Sequence, residues 1–229
     1  MNLNLKILSL AFLLFVLPFG NNLKAQISSN DLSEQRPVFG LQIGYAGMTN
    51  IDGAVDHTIG TNANMELLFP FVTFNNIDLM AGLNLFVEQH VVDGVFQLSN
   101  PDLSRAEFVQ SPDNYKNNNF NLIYAGIPID IRFRFNDQHN SFMTFGYRLG
   151  YNVWNQHSFK VGQERFEESI ENINHFRSDL RLSFGRFLNP CNDSSPILSS
   201  FTVGGFYQLD GLASDGEVNN YGFFLGFNF

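Results

Sequence analysis

Cysteine is almost missing from this chain. Cys191 is the single one among 229 residues, which excludes an intramolecular disulfide framework and any multi-cysteine zinc site. Its distance from the N-terminal region also leaves no cysteine for a lipoprotein anchor, so it reads as a free structural thiol. Charge is sparse at 15% and leans acidic, with a formal net charge of −9. General nucleic-acid binders neutralise phosphate with clustered Lys and Arg, so that class is excluded. The sequence contains no phosphate loop, Gly-x-Ser-x-Gly nucleophile elbow or His-Glu-x-x-His, and no cofactor or metal is expected. Beyond residue 25 no apolar run is long enough to cross a bilayer as a helix.

Bulky apolar residues, by contrast, are abundant: 44% of the chain is hydrophobic and 26 residues are Phe. That composition does not suit a disordered chain, and the length suits one all-β domain. Residues 1–25 have the parts of a cleaved signal peptide: Lys6, an apolar run from Ile7 to Phe19, and a polar stretch ending in Lys24-Ala25-Gln26. Cleavage after Ala25 would remove two lysines and no acid, leaving a more acidic chain. The expected organisation is a signal peptide over 1–25, a short periplasmic segment over 26–36 and a barrel domain over 37–229.

The dominant signal is a period of two, which marks strands whose two faces meet different surroundings. It recurs in eight segments, near 38–47, 64–73, 77–88, 122–135, 143–153, 176–185, 201–209 and 221–229. In the last, Tyr221, Phe223, Leu225, Phe227 and Phe229 share one face, opposite Gly222, Phe224, Gly226 and Asn228. Eight strands can close a small antiparallel barrel and so remove the sheet edges. A soluble carrier of the lipocalin kind would turn the apolar face inward, and a membrane barrel would turn it to lipid.

Glycine placement favours the membrane barrel. Gly40, Gly44, Gly82, Gly126, Gly146, Gly150, Gly185, Gly204, Gly222 and Gly226 all lie on the polar face. A narrow lumen needs small residues, whereas a solvated outer face gains nothing from residues that weaken strands. The same face carries Glu66, Asp78, Glu88, Asp130 and Asp179 against Arg132, Arg134, Arg148, Arg177 and Arg181. Acids and arginines in a confined lumen can pair, and arginine's planar fork suits multidentate pairing. Such a charge network would be structural and would fill the lumen without leaving an open pore. The fold expected is therefore all-β, an eight-stranded antiparallel up-and-down transmembrane β-barrel.

Short connections near 74–77, 136–140 and 188–197 alternate with mostly longer ones near 48–62, 90–119, 155–173 and 210–220. That alternation predicts a cell outer-membrane protein, multi-pass, with both termini periplasmic and long acidic loops outside. Pro70 and Pro128 each remove a ladder donor, so bulges or solvated lumen positions are expected there. Residues 163–171 allow either a short helical turn or a flexible acidic loop.

Tyr124-Ala125-Gly126-Ile127-Pro128-Ile129-Asp130-Ile131-Arg132-Phe133, the Ala25-Gln26 junction and the terminal Phe229 together resemble the PorT-like outer-membrane β-barrel proteins of Bacteroidota. The resemblance covers about residues 37–229, mostly as hairpin pattern. It implies an outer-membrane location and insertion by the barrel-assembly machinery, with Phe229 as assembly signal, and it implies no catalytic residue. An accessory role in protein secretion is an alternative it also raises.

The remaining chemistry-bearing group is His90, His157 and His175 with Glu88 and Ser158 near by, all at predicted loop-side strand ends. These could form a metal site or a lipid A-modifying hydrolase at the lipid-facing rim, but separate strands do not establish the reach that catalysis needs. The plainer reading is histidines at wet loop bases. Acidic loops could hold divalent cations that bridge to lipopolysaccharide phosphates, or meet a basic partner. The reading carried forward is a non-enzymatic barrel with outer-membrane lipid and lipopolysaccharide as surroundings and a protein partner unknown.

Overall fold

In the computed structural model the described residues are 37–49, 56–74, 76–93, 118–135, 140–161, 163–170, 173–188, 198–212 and 219–229. The expected signal peptide, the segment over 26–36 and Cys191 lie outside them.

Among the described residues nine strands follow one another: β1 (Val38–Thr49), β2 (Asp56–Phe74), β3 (Ile77–Asp93), β4 (Asn118–Phe135), β5 (Ser141–Val161), β6 (Glu164–Glu168), β7 (Phe176–Phe187), β8 (Ser200–Gln208) and β9 (Asn219–Asn228). All pairings are antiparallel. Eight strands form the ring, in the order β1-β2-β3-β4-β5-β7-β8-β9, and β9 returns to β1. The seam pairs Gly40 with Asn228 at one end and Thr49 with Asn219 at the other. β6 is an addition to the ring, a short return strand paired with residues 157–161 of β5. It replaces the helical turn allowed for residues 163–171: Phe159 and Phe166 pair directly, and two-fold alternation around that pair suits a hairpin.

One end of the ring carries the connections after β2, β4 and β7 and both ends of the barrel chain. There Phe74 pairs with Ile77 across the tight β2–β3 turn, and the Phe229 N–H donates to the Phe39 carbonyl at 2.8 Å. The opposite end carries the other connections, and the expected alternation of lengths does not hold throughout: residues 50–55 between β1 and β2 are fewer than residues 188–199 between β7 and β8. Toward it β2, β3, β4 and β5 run well past the segments read from the sequence, because polar residues such as Gln89, Asn121 and Gln156 continue the ladder after the apolar alternation stops. Both prolines disturb the ladder in the way a missing N–H requires. β2 slips register between Pro70 and Val72, and the β3–β4 pairing has a gap between Ala81–Ile129 and Asn84–Gly126, where Pro128 lies.

The usual sense of inside and outside is reversed. Buried positions include Glu66, Asp78, Glu88, Asp130, Asp179, Arg132, Arg148, Arg177 and Arg181, while Ile43, Phe74, Ile127, Leu149, Leu180, Phe184 and Phe223 are exposed. Phe74 and Phe223 keep 68% and 65% of their surface accessible, far beyond what scattered surface apolar residues require. Ten residues of a strand at about 3.3 Å each, tilted near 40°, span about 25 Å, the height of a barrel's lipid-facing band. The outward aromatics are sorted along that height. Phe39, Phe74, Phe135, Phe201 and Phe229 ring the turn end, and Tyr45, Tyr151, Trp154, Tyr207 and Tyr221 lie nearer the loop end.

Candidate functional site: the charged lumen

The ten charged residues of the alternating polar face all project into the barrel interior, with Arg134 and Asp78 nearest the turn end. Nine of them fall into three groups, and the tenth, Arg132, lies over the Phe142 ring at 4.5 Å. At the turn end Arg134 Nη2 donates to Asp78 Oδ1 at 3.0 Å, and the Thr73 hydroxyl donates to the same oxygen at 3.1 Å. In the middle Arg181 bridges two strands, with Nη1 2.8 Å from Glu66 Oε2 and Nη2 2.7 Å from Asp130 Oδ1. Amides complete Glu66: Gln42 Nε2 donates to Oε1 at 2.9 Å, and Asn64 Nδ2 to Oε2 at 3.1 Å. Asn84 passes the chain of amides to β3 by donating to Asn64 Oδ1 at 3.0 Å.

Nearer the loop end, Arg177 is the hub. It is 1% exposed and takes the Glu88 carboxylate on both terminal nitrogens, one of these bonds being 3.0 Å. Its Nε lies 2.8 Å from Asp179 Oδ1, and Arg148 Nε holds Asp179 Oδ2 at 2.6 Å. Asn220 Nδ2 adds a 2.9 Å bond to Glu88 from β9, so this group joins β3, β5, β7 and β9 across the lumen. Isolated charges at such depth would cost several kcal/mol each, and only this degree of pairing makes burial tolerable.

Aromatic rings inside the lumen complete the arrangement, and sequence reasoning assigned them no role. The Arg148 guanidinium lies 3.7 Å from the Phe86 ring centre and that of Arg177 4.6 Å from the same ring. Phe206 meets Phe86 edge-on at 5.6 Å, and Tyr124 lies 5.1 Å from Arg177. Arginine faces shed water more readily than ammonium groups, so rings can cover the guanidinium planes while the edges bond carboxylates. The available signal was phase: Phe86, Tyr124, Phe206 and Phe224 sit on the glycine-and-charge side of their strands.

Above this group the interior turns apolar. Ile170, Ile173 and Leu212 come from the connections beyond β5 and β8, and are buried in one cluster with Phe120, Leu122, Ala46 and Met48. Hydrogen bonds to neighbouring elements hold these connections. The Ile170 N–H donates to Asn155 Oδ1 at 2.6 Å, and the Asn174 N–H donates to the Leu212 carbonyl at 2.9 Å.

The histidines are not brought together as a rim site. His90 and His157 are buried on the lumen side, on either side of Phe120 in a continuous ladder, and His157 stacks on Phe120 at 4.4 Å. His90 Nε2 lies 3.6 Å from Glu88. His175 is on the outer side, stacked on Tyr151 at 5.8 Å. Two ladder spacings put about 10 Å between the strands of His90 and His157, beyond one hydrogen bond. Among the described residues no three His, Cys, Asp or Glu side chains are grouped to hold a metal ion. Phe229, the terminal aromatic, is on the outer face beside Phe39, with ring centres 6.2 Å apart.

No protein-family model and no curated protein matches the chain. Among solved structures it is similar to Neisserial surface protein A, at 11% identity and TM-score 0.43, over 84% of this chain and 95% of that one. It is also similar to Ail, the attachment invasion locus protein of Yersinia pestis, at 14% identity and TM-score 0.37, over 85% of this chain and 99% of that one. The eight-stranded closed antiparallel barrel itself is given by this chain's own strand pairing.

Proposed function

We propose that this chain is a non-enzymatic outer-membrane β-barrel whose lumen is plugged and whose specific role, structural or in interaction, is carried by the connections at the loop end. The single observation that carries the reading is the reversal of faces: paired charge inside a closed ring, and a continuous aliphatic and aromatic band outside it. Water offers such a band no stable state, and lipid does. A closed barrel also pairs its backbone without free edges, as hydrocarbon demands. In this reading both termini and the short turns are periplasmic, the long acidic connections face outward toward lipopolysaccharide, and the terminal Phe229 is the signal read by the barrel-assembly machinery.

Fractionation tests the location. The protein should sediment with outer membranes, need detergent for extraction, and migrate differently on gels before and after boiling. Recovery as a detergent-free soluble protein would refute the reading.

The plugged lumen has two supports, the arginine and carboxylate groups across the middle and the Ile170, Ile173 and Leu212 cover at the loop end. Eight strands leave an interior that side chains alone can fill. Planar-bilayer recordings should therefore show no stable openings of porin size; their regular appearance would overturn the plug.

The PorT-like resemblance belongs to the same reading and rests on residues 124–133, the Ala25-Gln26 junction and the terminal Phe229. An accessory secretion role follows from it as a narrower proposal, and unaltered protein export in a strain lacking this chain would remove it. A rim hydrolase is not carried forward, since His175 lies outside the ring and His90 and His157 within it.

A further inference from the structure

The outer face changes character at one height on one half of the ring. On β3 the outward side chains are apolar from Ile77 to Val87, a run that at about 3.3 Å per residue and a tilt near 40° fills a lipid band of about 25 Å. β2, β3, β4 and β5 continue past that height, and the first outward position beyond it on each is an uncharged polar residue. Thr61 pairs with Gln89, Gln89 with Asn121, and Asn121 with Gln156. Thr61 and Gln89 are exposed, and Asn121 and Gln156 are half-buried. Directly below, the row Ala63, Val87, Ile123 and Trp154 closes the apolar band, with Trp154 44% exposed. A bulge in β5 brings Trp154 and Gln156 to this face. Tyr124 pairs with Asn152 and Ile123 with Trp154, so Val153 is the extra residue. Asn152 is buried on the lumen side, and without the bulge Trp154 and Gln156 would share its phase.

Three carboxamides in register across three strands make a line of about 10 Å that carries donors and acceptors together. Strand propensity does not account for it, since Asn is depleted in strands. Gln156 already gives an Nε2 hydrogen to Glu167 Oε2 at 2.8 Å. A group that covers this row must therefore donate as well as accept. Phosphate oxygens of a lipid headgroup only accept, whereas each sugar hydroxyl does both. The exposed indole beside the row offers an apolar surface to the C–H face of a sugar ring. From this we propose that Gln89, Asn121 and Gln156, with Trp154 at their edge, form a docking site for the uncharged saccharide headgroup of an outer-leaflet glycolipid. Its acyl chains lie against Val87 and Ile123, and its sugars against the amides above them. The site rests on the membrane reading given above, which puts headgroups at that height.

The test uses the full chain folded into phosphatidylcholine vesicles, with the single tryptophan, Trp154, as reporter. Digalactosyl diacylglycerol, an uncharged lipid with two sugars, should change the Trp154 emission saturably. Phosphatidylglycerol with the same acyl chains should need about tenfold more lipid for the same change. Gln89→Thr with Asn121→Thr, which suits a strand and removes both carboxamides, should weaken the galactolipid response about tenfold, the scale of two neutral hydrogen bonds. Gln156→Met, of similar size, should weaken it about fivefold and keeps the test decisive if the double variant does not fold. In an inserted barrel, no saturable galactolipid response, an equal response to phosphatidylglycerol, or an undiminished response in the folded variants would each overturn the saccharide site and leave the membrane reading standing; the row would then be merely solvated or contact a protein. A barrel that enters no vesicle would remove the membrane reading and the site with it.

Discussion

Arg177→Met should lower the unfolding free energy of the barrel by about 3–5 kcal/mol, the cost of stripping one partner from a buried ionic group. The size follows from what is left behind. Glu88 loses both bonds from its arginine and keeps Asn220, while Asp179 keeps only Arg148. The three rings that cover Arg177, Phe86, Tyr124 and Phe206, would then face an under-neutralised carboxylate. Urea titration of the barrel reconstituted in vesicles, followed through the single tryptophan, Trp154, would measure the change. Adding Glu88→Gln to Arg177→Met should recover part of the loss, since the orphaned charge goes with it. A midpoint unchanged by Arg177→Met would mean that the group contributes nothing to stability.

Gly44→Val should abolish formation of the heat-modifiable folded band altogether. A Cβ at residue 44 would lie 1.8 Å from the Phe223 carbonyl oxygen and 2.7 Å from the Phe224 Cα, both backbone atoms of the neighbouring β9. No rotamer change relieves a clash with backbone, so the β1–β9 seam must open or shift. Position matters more than glycine as such. A Cβ at Gly150 would meet nothing closer than the Tyr124 Cβ at 3.4 Å, so Gly150→Ala should fold normally in the same assay. A folded, heat-modifiable Gly44→Val barrel would remove the steric account of the seam.

The ring and its reversed faces were legible because the eight strands of the ring share one alternation, and because glycine and charge fell on the same phase. Two kinds of feature were not. Strand ends beyond the apolar alternation, such as residues 89–93 and 154–161, carry mixed residues whose pairing is decided by the neighbouring strand and not by their own pattern. β6 escaped for the same reason: Glu164-Arg165-Phe166-Glu167-Glu168 has weak strand propensity, and only the extended β5 beside it supplies a partner. Within the lumen the charged residues could be named, yet not their grouping. Arg177 reaches Glu88 across 89 positions of sequence, and Arg181 reaches Glu66 across 115, distances at which spacing says nothing about contact.

The seam has a consequence for how the molecule comes into being. Gly40 meets Asn228, so the first strand waits for the last one made. Until then β1 and β9 are both open edges, with their ladder groups free to pair with another chain. The entropy of closing so long a loop grows only logarithmically with its length, but contacts so distant in sequence are made slowly. The period of greatest risk for aggregation is thus the interval between synthesis and closure, and a chain truncated before β9 would keep that exposed edge permanently.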